Sequence, residues 1–145
     1  MNFLIINGPN LNFLGKREPH IYGNKSYNDL VNFLLDYAKD HNHYLEVYQS
    51  NHEGEIIDLI QDNYNRFDAL VINPAAYSHY SYAIYDCLLS VDIRKVEVHL
   101  TNIEKREDFR KNCITAAACE KKFLGNGFLS YIDAIEYLND GVKLW

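Results

Sequence analysis

Several things are missing from this 145-residue chain, and each absence removes a class of protein. No apolar stretch approaches the roughly 20 residues needed to span a membrane. The start, Met1-Asn2-Phe3, lacks the basic region that precedes the apolar part of a secretory signal. A cytoplasmic protein with no membrane partner is therefore expected. Positive charge is also scarce. The formal net charge is −6, which argues against nonspecific binding to nucleic acid or anionic lipid. Only Arg17, Arg66, Arg94, Arg106 and Arg110 carry guanidinium groups, so an anionic small molecule would need a local cluster of them. The three cysteines, Cys87, Cys113 and Cys119, are an odd number at wide spacings. That argues against a disulfide framework and against a zinc site, and the expected role of all three is a buried small hydrophobe.

What is present is an apolar content of 48%, enough for a well-packed interior. Strand and helix patterns alternate, and no linker, repeat or low-complexity segment interrupts them. Phe3 to Ile6, Tyr44 to Tyr48, Ala69 to Ile72, Lys95 to Leu100 and, more weakly, Lys122 to Leu124 read as strands. Ser26, with Asp29 three residues on, reads as a helix cap. Leu30, Phe33, Leu34, Tyr37 and Ala38 then form the apolar stripe of a helix packed on a sheet. Ile56, Ile60 and Tyr64 mark a second helix, and Ile84, Cys87, Leu88 and Val91 a third, which Ser81 is placed to cap. A short polar helix is expected from Arg106 to Lys111. Tyr131, Ala134, Ile135 and Leu138 mark the last helix. The expectation is one domain over residues 1–145. It is a three-layer α/β fold, flavodoxin-like, whose five-stranded parallel sheet has the order 2-1-3-4-5 with helices on both faces.

The strand ends carry the functional signal. Phe3-Leu4-Ile5-Ile6 runs without a spacer into Asn7-Gly8-Pro9-Asn10. Ala69-Leu70-Val71-Ile72 stops at Asn73-Pro74, and Val96-Glu97-Val98 runs into His99 and Thr101-Asn102. Carboxyl ends of parallel strands surround the ligand crevice, so Asn10, Asn73 and His99 should meet there. The familiar cofactor and nucleophile motifs are absent. No G-x-G-x-x-G follows the first strand and no Walker loop, aspartate pair or G-x-S-x-G elbow occurs. The remaining inventory of Tyr, His, Asn and Arg needs no metal or cofactor. It suits proton abstraction beside a carbonyl, with a second group protonating a departing hydroxyl.

Candidates for those two roles have competing structural readings. Arg17 and Tyr22 lie in one long loop bracketed by Gly15 and Gly23, of the length common in lids. A guanidinium beside a phenol stabilises the phenolate, although with 12 tyrosines in the chain local sequence alone favours a packed Tyr22. Glu97 and His99 share a strand face, so the carboxylate can orient the imidazole. A satisfied core histidine is about as good a reading of His99 from its surroundings alone. His41, His43 and His52 read as surface or turn residues.

Taken together, the motifs resemble type II 3-dehydroquinate dehydratase. The resemblance rests on Ile6-Asn7-Gly8-Pro9-Asn10-Leu11-Asn12, Arg17-Glu18-Pro19 with Tyr22-Gly23, and Gln49-Ser50-Asn51-His52-Glu53-Gly54-Glu55. It extends through Ile72-Asn73-Pro74 with His79, Ser81 and Asp86, Val96 to Asn102, and Arg106-Glu107 with Phe109-Arg110. It implies a cofactor-free hydro-lyase of the shikimate pathway, which makes aromatic amino acids. Such an enzyme converts 3-dehydroquinate to 3-dehydroshikimate by anti elimination through an enolate. By position it implies Tyr22 as base with Arg17 beside it, Asn10 holding a water at the enolate oxygen, and His99 as acid oriented by Glu97. Asn73 and the backbone of Leu100 and Thr101 would bind the carboxylate, and His79 and Arg110 the ring hydroxyls. Asp86 would act across a subunit boundary in a dodecamer of four trimers. Ala75 stands where the family frequently has Gly, Tyr85 where it commonly has Arg, and Glu120-Lys121-Lys122 in a stretch that is normally small and apolar. Those changes point to altered assembly contacts. A non-catalytic relative that binds a related acid is the competing reading.

Overall fold

The computed structural model describes residues 1–141 and, at Tyr22, the backbone alone. Strands β1 (Asn2–Asn7), β2 (Tyr44–Gln49), β3 (Ala69–Asn73), β4 (Arg94–His99) and β5 (Lys122–Leu124) alternate with helices α1 (Pro19–Tyr22), α2 (Tyr27–Asp40), α3 (Glu53–Asn63), α4 (Tyr82–Ser90) and α5 (Leu129–Asp140). The sheet is parallel throughout and has the expected order β2-β1-β3-β4-β5. Among the described residues no helix is long and apolar enough to cross a membrane.

Side-chain alternation on the strands builds two cores. Phe3, Ile5, Val71, Val96 and Val98 point to the face covered by α2 and α5, where they meet Leu30, Leu34, Tyr131 and Ile135. Leu4, Ile6, Leu70 and Ile72 point to the face covered by α3 and α4, against Ile56, Ile60, Ile84 and Leu88. Because both faces are covered, β1 and β3 read as unbroken apolar runs rather than alternating ones. The expected caps are formed. Ser26 Oγ accepts the Asp29 N–H at 3.0 Å, and the Asp29 carboxylate accepts the Ser26 N–H at 2.8 Å, a capping box that stabilises α2 by about 1 kcal/mol. Ser81 Oγ caps α4 by accepting the Ile84 N–H at 3.0 Å.

Register places the strand ends level. Asn7 pairs with Asn73 across β1 and β3, and Ile72 with Glu97 across β3 and β4. The chain leaves β1 through Gly8, whose N–H donates to Asn73 O at 2.7 Å. A Cβ at Gly8 would meet Pro74 O at 2.6 Å, so only glycine fits between the two strand ends. The Asn-Gly-Pro junction is thus a packing requirement of the crevice. The buried Tyr131 hydroxyl of α5 joins the same two strands. It donates to Asn7 Oδ1 at 2.6 Å and accepts from Asn73 Nδ2 at 2.9 Å.

Local expectations failed in three places. The segment Arg106 to Lys111 is not one helix: Arg106 and Glu107 form a break between 3-10 turns at Ile103–Lys105 and Asp108–Lys111. The long loop after β1 is partly ordered into a 3-10 turn at Leu11–Phe13 and the single helical turn α1, which opens on Pro19. One of the cysteines departs from the expected core role. Cys87 is buried and the half-buried Cys119 packs against the core under α3 and α4, but the half-buried Cys113 belongs to neither core.

Candidate active site

A solvent-open cleft of about 660 Å³ lies beyond the carboxyl ends of β1, β3 and β4. Asn10 and Arg17 line it from the loop after β1, and Asn73 and His79 from the end of β3 and the turn that follows. His99, Leu100, Thr101 and Arg110 line it from β4 and beyond. Eight of the eleven residues singled out in the sequence therefore share one cavity. Glu97 lies directly behind its wall. Asp86 is exposed on α4 and does not line the cleft, and the Tyr22 side chain lies outside the described residues.

The wall is rigid where polar groups meet buried backbone. Asn73 is only 2% exposed, and both ends of its amide are held. Its Oδ1 accepts the Ala75 N–H at 3.1 Å and its Nδ2 donates to Tyr131. One amide N–H is left for a ligand. The next turn is bent through Ala75 at φ 53°, a left-handed conformation that glycine adopts without cost. Asn10 is left-handed too, at φ 69°, a conformation asparagine tolerates, and its N–H donates to Asn51 Oδ1 at 3.0 Å.

The chemistry centres on a buried pair. Glu97 is wholly inaccessible and His99 is 4% exposed, with His99 Nε2 donating to Glu97 Oε1 at 2.7 Å. The carboxylate is held from its other sides by Ser78 Oγ on Oε1 and Thr115 Oγ1 on Oε2, both at 2.5 Å. A buried carboxylate needs such donors, since an unpaired charge in the interior is prohibitively costly. Burial opposes a charge on His99. Hydrogen bonds to Cys113 and Glu97, with the charge of Glu97, outweigh that and raise its pKa above the usual histidine value. The protonated form of His99 is thus favoured relative to a free imidazole, the direction a proton donor needs.

His79 is tuned the other way. Its Nδ1–H donates to Asn112 O at 2.9 Å, and its ring stacks on His99 at 6.3 Å between centroids. Burial lowers its pKa, and the neighbouring His99 and Arg110 add to that. The two imidazoles are shifted in opposite directions, which separates donor from acceptor roles in one cleft. Three guanidinium groups line the cleft, because Arg106 joins Arg17 and Arg110. Arg110 is aimed by its Nε–H to Glu107 Oε2 at 2.6 Å and by stacking over Phe109. Against a net charge of −6, this concentration marks the cleft as an anion site.

Sequence reasoning missed Arg106 as a lining residue, along with Ser78 and Thr115 as supports of Glu97. For Arg106 the scarcity of arginine was a usable signal. The hydroxyls left none, being single small residues remote in sequence from Glu97. Cys113 was misjudged. Its sulfur joins Glu97 and His99 in a cluster whose carboxylate, imidazole and thiol donor atoms lie within 4.8 Å of one another. Those are metal-ligating types. Here both Glu97 oxygens are already engaged, by His99, Ser78 and Thr115, and the Cys113 thiol donates to Arg110 O at 3.7 Å.

Comparison with known proteins agrees with this arrangement. The family model for Dehydroquinase class II matches residues 1–139. The chain belongs to that family. The 3-dehydroquinate dehydratase of Thermotoga neapolitana is 52% identical over 138 residues, covering 95% of this chain and 94% of the relative. The crystal structure of type II dehydroquinase from Butyrivibrio crossotus superposes with a TM-score of 0.94 at 55% identity, covering 96% of this chain and 97% of that one. The type II dehydroquinase of Propionibacterium acnes gives a TM-score of 0.92 at 37% identity, covering 96% of each chain. The cleft described above is thus set in the class II dehydroquinase fold.

Proposed function

We propose that this chain is a 3-dehydroquinate dehydratase. It removes water from 3-dehydroquinate to give 3-dehydroshikimate by anti elimination through an enolate. The observation that carries the reading is the buried His99–Glu97 pair opening onto a cleft lined by three guanidinium groups, in a chain of net negative charge. That combination suits an anionic substrate from which a hydroxyl must depart with a proton.

In this mechanism Tyr22, as phenolate stabilised by Arg17, takes the C2 proton. The negative charge moves onto the carbonyl oxygen, where a water held by Asn10 donates to it, an oxyanion-type role. His99, aimed by Glu97, delivers its proton to the leaving hydroxyl on the opposite face. Asn73 and the backbone at Leu100 and Thr101 bind the carboxylate, while His79 and Arg110 hold the ring hydroxyls. The loop from Leu14 to Gly23 closes over the substrate. Neither metal nor organic cofactor takes part. Residues 1–145 act as one domain of a cytoplasmic enzyme in the shikimate pathway. It assembles as a dodecamer of four trimers, in which Asp86 acts across a subunit boundary.

The test is 3-dehydroquinate turnover by purified protein, followed as the ultraviolet absorbance of the conjugated enone. Chelator and borohydride in the buffer should leave turnover intact, since the route uses neither metal nor lysine imine. Tyr22→Phe should lower kcat by orders of magnitude while substrate still binds. Folded protein that binds substrate without turnover would make it a binding relative instead, and near-normal turnover by the Phe variant would remove Tyr22 as the base.

A further inference from the structure

The polar segment Gln49-Ser50-Asn51-His52-Glu53-Gly54-Glu55 has no part in the elimination, yet it grips the cleft from outside. It joins β2 to α3, one strand away from those that frame the cleft, and lines none of the cavity. From there Asn51 Oδ1 accepts the Asn10 N–H at 3.0 Å. Gln49 Nε2 donates to the same oxygen at 3.1 Å and to Gly8 O at 3.1 Å, so the Asn51 amide is fixed with its oxygen toward Asn10. The Asn51 backbone is anchored separately. Its carbonyl accepts from the Tyr77 hydroxyl at 2.9 Å, and the preceding Ser50 N–H donates to Asn7 O at 2.9 Å. Asn10 needs such a hold. It is exposed, and its φ of 69° lies in the left-handed region, which asparagine visits but does not prefer. Its side-chain amide has no hydrogen-bond partner among the described residues, so the backbone alone decides where that amide points.

We propose that Asn51 is a positioning residue for the elimination, whose side-chain oxygen locks Asn10 in the left-handed conformation that aims the Asn10 amide into the cleft. The inference rests on the reading of Asn10 as the residue that stabilises the enolate oxygen. Charge develops on that oxygen only on the way to the transition state, so a misaimed donor costs rate more than substrate affinity. Without the Asn51 acceptor the Asn10 N–H turns to solvent, which the exposed residue reaches, and the backbone relaxes out of the left-handed region. The strand ends stay in place, because Gly8 N–H and Asn73 O are joined by their own hydrogen bond. The effect is therefore confined to the direction of one amide.

The experiment compares 3-dehydroquinate turnover by Asn51→Leu, which keeps the branched shape without an acceptor, and by Asn51→Asp, which keeps an acceptor oxygen. Each is made in the parent and in the Asn10→Ala background. Asn51→Leu should lower kcat by about 10- to 100-fold, less than the roughly 100- to 1,000-fold typical of deleting an oxyanion donor, with KM little changed. Asn51→Asp should keep most of the parent rate. In the Asn10→Ala background Asn51→Leu should cost nothing more, since both changes remove one and the same interaction. Both Asn51 variants should unfold in urea at the parent midpoint, because the side chain is exposed. A crystal structure of the Asn51→Leu protein should show Asn10 outside the left-handed region. An equal loss in the two backgrounds, an Asn51→Asp protein as slow as Asn51→Leu, or Asn10 unmoved in the crystal overturns the positioning role. Folded parent protein that never turns over refutes the proposed dehydratase, and the crystal structure then still decides whether Asn51 holds Asn10.

Discussion

Deleting one oxygen atom by Tyr131→Phe should destabilise the fold by about 2–4 kcal/mol, although the ring keeps its packing. The hydroxyl donates to Asn7 Oδ1 at 2.6 Å and accepts from Asn73 Nδ2 at 2.9 Å, in a site with no solvent access. Phenylalanine leaves both amides short of a partner. Each orphaned buried group costs about 1–3 kcal/mol, and removing the hydroxyl's own desolvation returns part of the sum. In a chain of this size each kcal/mol moves Tm by about 2–4 °C, so the expected fall is about 10 °C. Urea unfolding followed by far-ultraviolet circular dichroism, at matched protein concentration, measures the change. Tyr37→Phe is the control. Its hydroxyl donates to Glu136 at 3.2 Å on the surface, and its loss should stay within about 0.5 kcal/mol. The two variants diverge in function as well, because Asn73 loses one of its restraints only in Tyr131→Phe, and kcat/KM should fall for that variant alone. A Tyr131→Phe protein within about 0.5 kcal/mol of the parent would refute the hydroxyl as the clamp between β1 and β3.

Other outcomes follow from the same geometry. Glu97→Gln removes one of the interactions that, after the one with Cys113, raise the His99 pKa, so the imidazole should titrate at lower pH. The alkaline fall in turnover should move down with it, as read by nuclear magnetic resonance of the ring protons and by a pH–rate profile. The folded-state pKa of His99 is raised, so its stabilising contribution is complete below the unfolded value of about 6.5 and is lost as pH rises through the native value. His79 and Cys113 also face the buried His99, but Glu97→Gln leaves them in place, and an unchanged midpoint would remove Glu97 as a cause. Gly8→Ala forces a Cβ to 2.6 Å from Pro74 O and should cost about 1–3 kcal/mol in urea unfolding while lowering turnover. Ala75→Gly relieves a left-handed alanine worth about 1–2 kcal/mol, against a gain in unfolded-chain entropy. A net stabilisation of up to about 1 kcal/mol is expected, and a destabilised variant would refute the strain at Ala75.

How much of this could be read from the chain depends on the range over which each interaction acts. Strand order, the Ser26–Asp29 capping box, the Ser81 cap and the apolar helix faces are encoded in neighbours a few residues apart, and all were legible. The convergence of Asn10, Asn73 and His99 was legible as well, because parallel strands with right-handed crossovers leave their carboxyl ends on one edge. The break at Arg106 was not, since a polar segment with helical spacing has no buried face to hold it in one helix.

The sequence by itself determined a doubly covered parallel sheet whose crevice carries Asn, His and Arg, because periodicity and strand ends are local features. Only the tertiary structure decided which side chains support that crevice. Tyr131 reaches Asn7 across 124 residues, and Ser78 and Thr115 reach Glu97 across 19 and 18. Such pairs follow no period along the chain. Cys113 shows the consequence. Its composition suggested a small buried hydrophobe, and it became a polar neighbour of His99 only when the segment after β4 folded back over the strand.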